Sequence, residues 1–187
     1  MEAYIAEGNT NKVQVTSSST TVHNLTYKDY MEKNTLTEDQ KDVLEQLMST
    51  DTTALYGSGA IGTQVAQMAM TKVGCGYSQD KRMQEGWYDC SSLVYRLYKE
   101  AGLVLSGTAA EQGEDCYKKA QIINKKDLKP GDLIFYSYEE NGRFRNISHV
   151  AIYVGDGKMV HAANPRRGVV LDPLRTGSVV FYARPYQ

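Results

Sequence analysis

Near Lys129-Pro130-Gly131 the apolar residues of this chain change their spacing, and that switch restricts the possible folds more than any other feature. Upstream of it Val65, Ala66, Met68, Ala69 and Val73 recur at three- and four-residue intervals and stop at Gly74. Leu93, Val94, Leu97, Tyr98 and Ala101 repeat the pattern and stop at Gly102. Such spacing buries one face of a helix, and glycine ends it readily, so helices are predicted over about 62–73 and 90–101. Thr108-Ala109-Ala110-Glu111-Gln112 opens a third, reaching about Ala120. Downstream, Leu133-Ile134-Phe135-Tyr136 reads as a buried strand that Asn141-Gly142 connects to a second strand over about 148–154. Gly155-Asp156-Gly157 turns that strand into Lys158-Met159-Val160-His161-Ala162-Ala163, and further strands are predicted near 168–171 and 178–184. Helices first and strands afterward give an α+β fold, with helices packed on a mostly antiparallel sheet of about five to six strands.

A chain of 187 residues buries one core with room for an extension. Residues 56–187 are read as the domain and 1–55 as a polar leader, a linker or arm. Within the leader, Thr16-Ser17-Ser18-Ser19-Thr20-Thr21 offers little apolar surface to offset ordering. Thr37-Glu38-Asp39-Gln40 has the form of a capping box ahead of Val43, Leu44, Leu47 and Met48, which predicts a short helix over about 38–49. The net charge of -1 supplies neither the basic field that nucleic acid requires nor a polybasic anchor for anionic lipid. No apolar run is long enough to span a bilayer. Met1-Glu2-Ala3-Tyr4 lacks the basic and apolar regions of a signal peptide, so for an exported protein the targeting segment lies outside this sequence.

The chemistry centres on Asp89-Cys90-Ser91-Ser92, where a loop runs into a helix. With Asp89 as N-cap, Cys90 falls in the first turn, whose unpaired N–H groups and dipole favour a thiolate. On that basis Cys90 is expected to alkylate faster than Cys75 or Cys116 at mildly acidic pH. The last two could pair or stay reduced. Two of the three histidines, His149 and His161, fall on consecutive strands joined by a tight turn, which adjacent antiparallel strands can bring together. A thiolate, an imidazole and a group that orients the imidazole suffice for nucleophilic catalysis. The same residues also admit a structural reading, or a zinc site with an open water position, although no Cys-x-x-Cys or His-Glu-x-x-His pair supports a metal.

The blocks Asp89-Cys90-Ser91-Ser92-Leu93-Val94, Leu128-Lys129-Pro130-Gly131-Asp132-Leu133-Ile134-Phe135, Ser148-His149-Val150-Ala151-Ile152-Tyr153-Val154-Gly155 and Val160-His161-Ala162 resemble, in order, the motifs of the NlpC/P60 cell-wall cysteine peptidases. The resemblance covers about residues 60–187. It implies a papain-like domain without cofactor or metal, with Cys90 as nucleophile at a helix N-terminus, His149 as general base and His161 as orienting residue. Tyr77 matches the tyrosine beside the nucleophile, and Asp89 and Ser91 match residues lining the substrate groove. The implied reaction is hydrolysis of a peptidoglycan stem peptide, at the γ-D-glutamyl to diamino-acid bond, by a protein secreted or associated with the cell wall. A further wall-binding or glycan-cleaving domain outside this chain would fit that role.

Two rivals remain at this level: an amidase or acyltransferase with the same triad, and a non-catalytic wall-binding module. Ser92 stands where glycine is commoner in the family, and 78–86 replaces a glycine-rich run, which bears on the groove. Trp87 and Tyr88 either floor a sugar-peptide groove or pack the Cys90 helix. Asp132, in a Pro-Gly-Asp turn, is read as structural.

Overall fold

The computed structural model describes residues 12–15, 23–26, 37–38, 41–42 and 58–187. In the leader, β1 (Lys12–Val15) and β2 (His23–Thr26) form an antiparallel pair that residue composition did not foretell. Of the helix expected over 38–49, Glu38, Lys41 and Asp42 are helical, with the Lys41 N–H donating to the Thr37 carbonyl at 3.0 Å. The rest of that segment lies outside the described residues.

Helix α1 (Ser58–Thr71) starts a turn earlier than the periodicity suggests. Gly62 is needed where it stands inside the helix: a Cβ there would strike the Tyr186 ring and the Pro130 carbonyl. Tertiary packing outweighs the roughly 1 kcal/mol that glycine costs a helix relative to alanine. Helix α2 (Cys90–Glu100) begins where sequence placed it. The Asp89 carboxylate accepts the Ser92 N–H at 2.7 Å, and the Ser92 hydroxyl accepts the Asp89 N–H at 2.9 Å. The serine that departs from the commoner glycine thus completes a reciprocal cap. Helix α3 (Ala109–Lys118) is capped in the same way by Thr108 and Glu111.

Short strands β3 (Gly76–Tyr77) and β4 (Trp87–Tyr88) pair in parallel just before α2. The main sheet comprises β5 (Ile122–Ile123), β6 (Leu133–Tyr136), β7 (His149–Gly155), β8 (Lys158–Asn164), β9 (Gly168–Pro173) and β10 (Val179–Ala183). Its six strands run in the order β5-β10-β6-β7-β8-β9, every neighbouring pair antiparallel. This is the α+β architecture expected from the order of periodicities.

The three helices cover one face of the sheet. Val65, Ala69, Leu93, Val94 and Leu97 pack there against Phe135, Val150, Ile152, Val154 and Val160. Each such Val, Leu, Ile or Phe side chain taken out of water contributes about 1.5–3 kcal/mol before entropy is counted. The other face is also closed: Ile134, Tyr136, Ala151 and Met159 form a second, smaller buried cluster. His149 and His161 lie on that second face, and both are buried.

Candidate active site

Three consecutive strands assemble the polar centre by a repeated diagonal. In the β7–β8 ladder Ile152 pairs with Val160, so one step further His161 comes opposite Ala151, two residues from His149 on the same face. In the β8–β9 ladder Asp172 pairs with Met159, again two residues from His161 on that face. The side chains meet accordingly. His149 Nε2 lies 2.7 Å from His161 Nδ1, and His161 Nε2 lies 3.1 Å from Asp172 Oδ2. The two imidazoles are edge to face, with centroids 4.9 Å apart. Their nitrogens bond to each other rather than converge on a point, and among the described residues no group of three His, Cys, Asp or Glu side chains could hold a metal ion.

Asp172 was not singled out from sequence. Arg167 grips it through two bonds of 2.8 and 2.6 Å and Arg175 adds a third at 2.6 Å. The Arg167 guanidinium holds its carboxyl well below the usual range, so it is ionised. Burial, reinforced by the neighbouring His161 and Arg175, pushes the His149 imidazole down to about 3, and burial likewise lowers His161 against the pull of Asp172. Both rings are neutral at ordinary pH.

Cys90 keeps some solvent exposure at the start of α2. Backbone N–H groups of Ser91 and of Val150, the residue after His149, point at its sulfur. The expectation of a depressed thiol is corrected here. Burial and the adjacent Asp89 carboxylate outweigh the N–H groups and Arg82, and push the thiol up to about 11. At rest the thiol and the imidazole are therefore both neutral, and nucleophile formation requires the proton to move. We expect iodoacetamide alkylation of Cys90, mapped by mass spectrometry, to rise with pH throughout the range from 6 to 9, because the thiolate fraction grows until pH passes the raised pKa. A rate already level below pH 7 would mean a resting thiolate–imidazolium pair.

The remaining residues singled out from sequence fall around Cys90. Tyr77 on β3 is close enough for Cys90 and Asp89 to act on its hydroxyl, which burial shifts upward. Asp89 and Ser91 are drawn together rather than left open: the Ser91 hydroxyl donates to Asp89 Oδ1 at 3.1 Å, and Arg82 binds Asp89 Oδ2 at 3.1 Å and the Ser91 oxygen at 3.1 Å. The Asp89 carboxylate is 4 % exposed as part of its residue and is committed to the cap and to Arg82. Trp87 is exposed, its ring lying over Gly76 with Lys81 Nζ 4.8 Å from its centroid. Tyr88 faces inward beneath Arg96, whose guanidinium is 4.3 Å from the ring. Cys75 and Cys116 are free thiols.

The NlpC/P60 family model matches residues 74–183. The chain belongs to the NlpC/P60 family. It is 35 % identical over 133 residues to a Mycobacterium tuberculosis protein named as a probable endopeptidase, covering 70 % of this chain and 31 % of that one. A γ-D-glutamyl-L-lysine dipeptidyl-peptidase of Bacillus cereus is 32 % identical over 97 residues, covering 51 % of this chain and 27 % of the relative. Among solved structures, NlpC2 from Trichomonas vaginalis aligns with a TM-score of 0.58 at 26 % identity, over 69 % of this chain and 46 % of that one. The papain-like arrangement implied by the sequence motifs is the one this NlpC/P60 chain adopts. It spans less than a third of the length of these two curated relatives.

Proposed function

We propose that this chain is a cysteine peptidase that hydrolyses peptidoglycan stem peptides at the γ-D-glutamyl to diamino-acid bond. The observation that carries the reading is the hydrogen-bonded pair His149–His161, together with a cysteine at a helix start, in a chain of a family whose relatives include a γ-D-glutamyl-L-lysine dipeptidyl-peptidase. In this reading His149 takes the Cys90 proton and the sulfur attacks the scissile carbonyl. The Cys90 backbone N–H and the Tyr77 hydroxyl hold the oxyanion. The C–N bond breaks as the proton passes to the leaving amine, and water then hydrolyses the thioester. Trp87 and Ser91 are proposed as walls of the substrate groove. The boundary near residue 55 belongs to the same proposal and is supported by the start of α1 at Ser58. A place outside the cell or at its wall follows from the substrate class.

Asp89 decides a point of specificity. An open carboxylate would favour the free amine of a stem detached from its sugar. Here it is taken up by Ser91, Ser92 and Arg82. Sugar-linked stems are therefore expected to be cut within about threefold of the rate for free tri- and tetrapeptides, well short of the tenfold that about 1.4 kcal/mol of amine binding would give. Product masses from defined substrates, with Cys90→Ala as control, test both claims. Release of a fragment ending in γ-D-glutamate supports the bond. Release of D-alanine alone, or of the intact stem from its sugar, refutes it, and a tenfold preference for free stems refutes the role given to Asp89.

A further inference from the structure

We infer that Asp172, clamped by Arg167 and Arg175, is a positioning residue that sets the tautomers of both histidines and so leaves His149 Nδ1 as the atom that receives the Cys90 proton. The inference rests on the proposed role of His149. It starts from donor and acceptor counting along one buried line of contacts, Asp172 Oδ2 to His161 Nε2 at 3.1 Å and His161 Nδ1 to His149 Nε2 at 2.7 Å.

An ionised carboxylate only accepts hydrogen bonds. Asp172 is ionised because three guanidinium bonds, from Arg167 and Arg175, saturate it with donors. His161 must then carry its proton on Nε2. A neutral imidazole has one N–H, so His161 Nδ1 is a lone pair and accepts. His149 must in turn carry its proton on Nε2 to donate to it. Its one remaining nitrogen, Nδ1, is a lone pair with nothing left to do except accept a proton. Reversing the first contact would reverse every later one, and His149 would present an N–H where a base is required.

The arrangement also bears on charge. When Nδ1 takes the thiol proton, His149 becomes an imidazolium with N–H on both nitrogens, and the sulfur keeps the electron pair of the broken S–H bond. Its Nε2–H still points at His161 Nδ1, and the His161 Nε2–H at the Asp172 anion. The chain of dipoles thus stays aligned when His149 is charged, and it ends on a carboxylate whose charge Arg167 and Arg175 offset. Asp172 is 7 % exposed and His161 3 %, so little water competes with this alignment. The arginines are more open, with side chains 42 % and 52 % exposed for Arg167 and Arg175. They offset the Asp172 charge, and two of their three bonds fall on Oδ2, the same oxygen that accepts from His161.

The test is nitrogen-15 NMR of the histidine-labelled full chain at neutral pH, read without any substrate. Both His149 and His161 should show the Nε2–H tautomer in the wild type. Asp172→Asn, which offers an amide that can donate where the carboxylate only accepted, should shift His161 and with it His149 toward Nδ1–H. A wild-type His161 in the Nδ1–H form overturns the inference, as do unchanged tautomers in Asp172→Asn. If Asp172→Asn does not fold, the wild-type spectrum alone decides. Activity supplies a second readout. Loss of an outer partner of this kind costs about 10- to 100-fold, and Asp172→Asn should show that loss in kcat but less than about twofold in a His161→Ala background, where there is no ring left to set. An equal loss in both backgrounds makes Asp172 merely structural and overturns the inference. A protein with both histidines in the Nε2–H form that cuts no stem peptide refutes the proposed substrate and leaves the tautomer assignment supported.

Discussion

His149→Ala is expected to lower turnover of a stem peptide by about 10²- to 10⁴-fold, the range that a positioned general base contributes, without unfolding the domain. The ring is 7 % exposed and borders Tyr136 and Tyr138, with centroids 6.0 Å from each, so its loss leaves a small gap at the end of β7 and not in the main helix–sheet core. The loss follows from the neutral resting pair: with the thiol raised to about 11, few molecules at pH 7 hold a thiolate, and the rest need a proton acceptor at the sulfur. His161 acts at one remove, and its variants separate accordingly. His161→Asn keeps an oxygen that can accept the His149 Nε2–H, whereas His161→Ala keeps nothing, so the asparagine variant should retain more activity. Steady-state kinetics on one defined stem peptide, beside thermal unfolding of each variant, make the comparison. Equal rates for the two His161 variants would remove its orienting role, and a His149→Ala enzyme within tenfold of wild type would remove the base.

How much of this was legible in advance depends on the length over which a pattern can repeat. Strand β7 alternates over seven residues, long enough to assign Val150, Ile152 and Val154 to the helix side and His149 to the other. The Gly155-Asp156-Gly157 turn then makes the meeting of His149 and His161 a matter of counting. Asp172 resisted the same treatment. Its place opposite Met159 depends on the β8–β9 register, which shifts between Ala162 and Asn164, and an aspartate in a strand reads as a solvent-facing residue until the arginines that bury it are known. Strands β3, β4 and β5 have two residues each, too few for any period to show. Asn141-Gly142 was read as the link between two strands, and so it is, but not as a tight turn. The Asn146 side chain accepts the N–H groups of both Asn141 and Gly142, at 3.2 Å each, and holds a wider loop. At Cys90 the sequence exposed the terms that favour a thiolate, a helix start and its N–H groups, while the opposing burial is set by tertiary packing that no local pattern shows.

Asp132→Ala should be the most destabilising single change among those considered, and should leave the chemistry of surviving molecules intact. Asp132 is fully buried and takes four hydrogen bonds: Arg184 Nε at 2.9 Å and Nη2 at 2.8 Å, the Tyr186 hydroxyl at 2.7 Å and the Lys129 N–H at 2.6 Å. Through them the turn before β6 is fastened to the chain that leaves β10. The turn has no slack to compensate, because Gly131, at φ +92°, packs directly on the Gly62 backbone of α1 and a Cβ there would collide with it. Truncation leaves the Arg184 guanidinium, whose side chain is 15 % exposed, without its counter-charge, and strands the Lys129 N–H, while the Tyr186 hydroxyl keeps only the Pro130 carbonyl at 3.1 Å. Breaking a buried pair from one side costs about 3–5 kcal/mol, which for a domain of this size lowers Tm by about 10 °C. Removing Arg184 as well relieves the unpaired charge, so Asp132→Ala with Arg184→Met should recover part of the loss and be clearly non-additive with the single changes. Thermal unfolding followed by circular dichroism measures these shifts. A Tm within about 2 °C of wild type for Asp132→Ala would refute the fastening role, and an intact Tm with kcat lowered a hundredfold would place Asp132 in the chemistry instead.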